Sequence, residues 1–286
     1  MQFDTANRVM TAVEKKFDVC GVGMDCSGKG GQLILDSMHS TTGQKFDIIA
    51  SREHFKFPMH TAFDELGFKM VVCKTNAGSA ISGYTDPDHV FKSQQGQGNT
   101  GLRIIWLGGQ HWFCAGSWYT VEGFPIHLII KEDSMSDAEM YKHYAPENMQ
   151  LVSRMAPELD PAGAACHLGM LGQALDAVRF PAIMDLDRVA MLTITATYKL
   201  ATRADAQATS KGHSNHSSSM VSEHPEPHRN FLRMCSAFLV ADLHWAEGRA
   251  DSMRYPPANG SHSLEEYFGM LRSELNSFGM ADLLRM

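Results

Sequence analysis

Leu102–Val121, LRIIWLGGQHWFCAGSWYTV, is the stretch on which the fold turns. Two apolar runs, Leu102–Leu107 and His111–Val121, flank Gly108-Gly109, the pattern of a β-hairpin with a tight turn. The stretch holds Trp106, Trp112 and Trp118, three of the chain's four tryptophans, so it is also expected to be a packing spine. Pro125–Lys131 (PIHLIIK) follows as a third apolar run and is expected to be a third strand. Three strands joined by short turns pair antiparallel, as a meander.

Working towards the N-terminus, Asp4 or Thr5 can cap a helix running to about Phe17, with Phe3, Val9, Met10, Val13 and Phe17 on one face. Phe17–Val22 reads as a short strand, Gly23–Gly31 (GMDCSGKGG) as a turn, Gln32–Met38 as a short helix and Lys45–Ala50 as a strand. Pro58 opens a helix that stops at Gly67, and Lys69–Cys73 is a buried strand. Residues 74–101, rich in Gly, Asn, Ser, Asp and Gln, read as a long loop that is either functional or mobile, with Asp86-Pro87 as a turn signal.

Towards the C-terminus the pattern becomes helical. Ser136 and Glu139 form a capping box. Helices are expected over 136–144, 147–156, 161–178, 185–207, 229–247 and 262–285, punctuated by Pro146, Pro157, Pro161 and Pro181. Ala190–Tyr198 (AMLTITATY) is β-branched enough to be a strand instead. Residues 209–228 are Ser-, His- and Pro-rich and cannot build a core. The expectation is an α+β fold: a mixed α/β domain with an antiparallel β-meander over 1–133, and a mainly helical domain over 134–286 interrupted by the 209–228 linker.

The composition is that of a globular chain, 44% hydrophobic and 20% charged. A net charge of −7 argues against a general electrostatic grip on nucleic acid and leaves a local basic groove as the route to one. The first residues, MQFDTANRVMTAVEKKF, lack the apolar core of a signal peptide, and no apolar run has the length of a membrane span. The expected setting is therefore soluble and intracellular. The six cysteines form no CxxC pair, so neither a zinc ribbon nor a thioredoxin-type motif is expected.

Several clusters could carry chemistry. Cys26 lies where a turn meets an expected helix start, and His111 opens an expected core strand; a thiol nucleophile needs such a base. Met24-Asp25-Cys26 and Gly109-Gln110-His111-Trp112-Phe113 resemble the cysteine and histidine patches of papain-like and ovarian-tumour-type cysteine proteases. The resemblance implies a hydrolase with Cys26 as nucleophile and His111 as base. It departs from the pattern at Ser27–Gly31, where those families place an apolar residue on a firm helix. Asp86, Asp88 and Asn99 are the candidates for orienting the imidazole.

Gly23–Gly30 approaches a phosphate-binding loop, but Gly30 stands where the metal-binding hydroxyl belongs, and Ala182–Asp185 is a faint, distant Walker-B-like run. His213, His216, His224 and His228 with Glu223 offer metal-ligand chemistry without a fixed geometry, so a solvated linker is the stronger reading. Asp242, His244 and Glu247 share one expected helix, where a hydrogen-bonded core histidine is the plainer account. No cofactor is expected. A protein that works by association satisfies the sequence without a missing catalytic residue: a coat, nucleoprotein or scaffold subunit that self-assembles as a homo-oligomer. The Cys26/His111 hydrolase is the alternative.

Overall fold

The computed structural model describes residues 15–16, 21–24, 72–74, 80–99, 104–107, 111–114, 117–130, 136–212, 224, 226–232, 234–235 and 238. In chain order these give β1 (Gly21–Met24), β2 (Val72–Lys74), β3 (Ala80–Thr85), α1 (Pro87–Asn99), β4 (Ile104–Leu107) and β5 (His111–Cys114). There follow α2 (Asp137–His143), α3 (Pro146–Val152), α4 (Pro161–Arg179) and α5 (Asp185–Gly212). Residues 226–232 are also helical.

The fold is predominantly helical, which corrects the α+β expectation and its N-terminal β-meander. Strands are short among the described residues. β1 and β3 run parallel, β2 and β3 antiparallel, and β4 and β5 pair antiparallel as a separate two-stranded ribbon. Among the described residues no third strand joins that ribbon. Ser117–Thr120 and Ile126–Leu128 are 3-10 turns. The reason is local. The carbonyl of Leu128, which a neighbouring strand would need, accepts from Gln95 Nε2 at 3.1 Å and Asn99 Nδ2 at 2.7 Å. Within Ile126–Ile130, Ile126 and Ile130 are exposed while Leu128 and Ile129 are buried, a turn's distribution and not a strand's alternation.

The expected loop at 74–101 is also corrected, since it contains β3 and all of α1. Asp86-Pro87 is not a turn within a loop but a helix start. The Asp86 carbonyl accepts from Val90 N at 3.0 Å, and Pro87 occupies the first helical position, where its missing N–H costs nothing. Ala190–Tyr198 lies inside α5 and is helical. Its threonines suit a helix because their hydroxyls turn back on it: Thr193 Oγ1 donates to Val189 O, and Thr195 Oγ1 to Met191 O and to Met170 O of α4, both at 3.0 Å.

The core lies among α1, α2, α4 and α5. Phe91, Met140, Leu168, Leu171, Leu192 and Phe231 are buried there. Phe91 meets Tyr144 and Phe231 edge-on, both with centroids 5.8 Å apart. Trp118 is buried over Gly98 of α1, and its Nε1 lies 3.4 Å from Asn99 Oδ1. His143 is buried among Trp118, Phe124 and Tyr144.

Arg188 closes the α4–α5 hairpin. Its guanidinium is 2% exposed and donates to the carbonyls of Ala177, Phe180 (3.3 Å) and Ile183 (2.9 Å). A cation there satisfies the last carbonyls of α4 and complements the negative end of its dipole. Further along the hairpin, Gln173 Nε2 donates to Met191 O at 3.2 Å, and His167 Nδ1 shares a hydrogen bond of 2.8 Å with the Tyr198 hydroxyl.

Two glycines give a paired test of this packing. A Cβ on Gly172 of α4 would stand 2.9 Å from the backbone oxygen of Tyr144, while one on Gly96 of α1 would meet nothing within 4 Å. Gly172→Ala is expected to destabilise by about 1–3 kcal/mol, because backbone must move. Gly96→Ala is expected to stabilise by roughly 0.5–1 kcal/mol through helix propensity. Urea denaturation of the two variants beside the parent checks both signs.

Candidate functional site

The described residues bring polar chemistry together where β3 hands over to α1. Asp86 follows the last residue of β3 and is 2% exposed. Its Oδ1 accepts the N–H of Asp88 at 3.0 Å, closing the first turn of α1. Asp88 is buried as well and meets Arg179, the last residue of α4. Arg179 Nε donates to Asp88 Oδ1 at 2.9 Å, and Arg179 Nη2 pairs with Asp88 Oδ2. The contact is the two-pronged kind that fixes a planar guanidinium against a carboxylate. Tyr141 of α2 donates its hydroxyl to the same Asp88 Oδ1 at 3.3 Å.

One carboxylate, Asp88, thus holds the guanidinium and the phenol at the start of a helix, and the charge of Asp86 acts on both. Burial pulls the Arg179 pKa below its usual value, and the Asp86 charge acts against that pull. Burial, with the charges of Asp137 and Asp86, pushes the Tyr141 phenol up to about 12. Among the described residues no group of three His, Cys, Asp or Glu could hold a metal unaided.

The strand geometry places this cluster at a sheet end. In the parallel pairing, Met24 of β1 stands opposite Thr85 of β3. Asp25 and Asp86 are the residues that follow them in the sequence.

The rest of the polar face of α1 is also engaged. Lys92 pairs with Asp137 of α2 at 2.7 Å. Gln94 Oε1 accepts from Lys199 Nζ of α5 at 2.6 Å, and Gln94 Nε2 donates to Pro227 O at 3.1 Å. Lys199 is 1% exposed and stands over the Phe231 ring, 5.2 Å from its centroid. Cys235 is fully buried, and that burial pushes its thiol up to about 12 although the Lys199 charge lowers it; it is a packing thiol, not a nucleophile.

The residues singled out from sequence fall as follows. Cys26 lies outside the described residues, as do Ser27–Gly31, His213, His216, Glu223, Asp242, His244 and Glu247. His111 begins β5, with its backbone paired to Leu107. The pairing of Cys26 with His111 therefore falls outside the described residues. Asp88 is committed to Arg179 and Tyr141, and Asn99 to Leu128 O and Trp118. His224 is exposed and its N–H donates to Gln97 Oε1 at 2.8 Å, whereas His228 is buried. Ala182–Asp185 forms the α4–α5 turn, with Asp185 opening α5. Arg179, Tyr141 and Lys199 were not legible as partners of α1, since each is far from it in sequence. The Asp-Pro pair, a capping residue followed by a first-position proline, was the available signal for the acidic helix start.

No family model matches the sequence, and no curated protein does. Among solved structures, the fold is similar to that of a chain in the Drosophila P element transposase strand transfer complex, with a TM-score of 0.59 and 9% identity. The likeness covers 94% of this chain and 59% of that one, so this chain spans well under two thirds of its neighbour's length. At that identity the likeness is one of fold. No helix among the described residues is long and apolar enough to cross a membrane.

Two outcomes test the site. Arg179→Met leaves the Asp88 carboxylate buried without its cation and is expected to cost about 3–5 kcal/mol in a denaturant titration. Arg179→Met combined with Asp88→Asn is expected to cost less than Arg179→Met alone. Tyr141 is the second probe. Its neutral form is favoured in the folded chain, so its contribution is whole below pH 10.0 and is lost as pH rises towards about 12. An alkaline titration followed by phenolate absorbance should show one late tyrosine, which disappears in Tyr141→Phe.

Proposed function

We propose that this chain is a DNA-associated protein that acts as a subunit of an assembly. The observation that carries the reading is the fold likeness to a transposase strand transfer complex over nearly the whole chain. The charge balance shapes how contact would be made. A chain of net charge −7 gains little from broad phosphate attraction. A divalent cation between carboxylate and phosphate removes that difficulty, because Mg²⁺ is commonly held by one or two carboxylates with phosphate and water completing its shell. The acidic end of the β1–β3 pair supports that placement, since ligands of open sheets gather at the carboxyl ends of parallel strands. Asp86, which follows β3 at that end, is the described residue that would hold such an ion. Self-assembly as a homo-oligomer belongs to the same reading, in which separate copies present separate DNA-contacting ends.

Fluorescence anisotropy with a labelled DNA duplex tests this at fixed ionic strength. Binding is expected in Mg²⁺, with affinity reduced about tenfold in EDTA, a change of about 1.4 kcal/mol. Asp86→Asn keeps the cap, because Asn serves there as well as Asp, and should abolish the Mg²⁺ dependence. A chain that binds no duplex in either condition would sink the reading.

A further inference from the structure

We draw no further inference here: the strongest candidate, the exposed apolar tip of the α4–α5 hairpin at Phe180, Met184 and Leu186, carries nothing, because nothing in the structure shows what covers it.

Discussion

The buried pair between Asp88 and Arg179 is the contact on which the arrangement depends. It joins the first turn of α1 to the last residue of α4, so it fixes the handover from β3 into the helical body. Such a pair is not strong evidence of stability, because stripping water from two charges offsets much of their attraction. Its value lies in direction. A guanidinium held by two parallel contacts admits one orientation of the carboxylate, and Tyr141 adds a third element to the same oxygen. Asp86, two residues away and bonded to the same turn, inherits that placement.

The described helices between Asp137 and Gly212 were legible because their ends carry explicit chemistry. Ser136 Oγ accepts from Glu139 N at 3.3 Å, and Pro146 and Pro161 each stand at a helix start. Asp86-Pro87 carries the same signature but was read as a turn, because the polar and glycine-rich residues after it gave no apolar stripe. α1 is a helix through its partners instead: its glutamines and asparagine bond to carbonyls and a lysine that the sequence could not place near it. The β-meander failed for a matching reason. PIHLIIK has a strand's composition, yet the Leu128 carbonyl is taken by side chains of α1. β-propensity describes a fit to a half-buried pleated surface, and none is offered there.

Of the candidate site, Asp86 and Asp88 were visible in the sequence only as assistants to His111. Their own cluster was hidden, because Arg179 lies ninety-one residues beyond Asp88. The Cys26 and His111 pairing was the sharper motif, and Cys26 lies outside the described residues. Chemical residue types near a glycine turn are common, whereas a buried carboxylate with a buried guanidinium is a three-dimensional fact that no spacing rule reports.

The bonds that hold α1 span long stretches of chain, with sequence separations of 91 to Arg179, 105 to Lys199 and 133 to Pro227. Rich in glutamine and glycine, α1 has little helical preference of its own. On a ribosome it would leave the exit tunnel well before any of those partners exists. It is therefore an element that waits: the α4–α5 hairpin, built from contacts near in sequence, can form first and serve as the template on which α1 is laid. The end of the sheet that bears Asp86 would then be among the last parts of the molecule to be organised, so an incomplete chain would carry that acidic end unassembled.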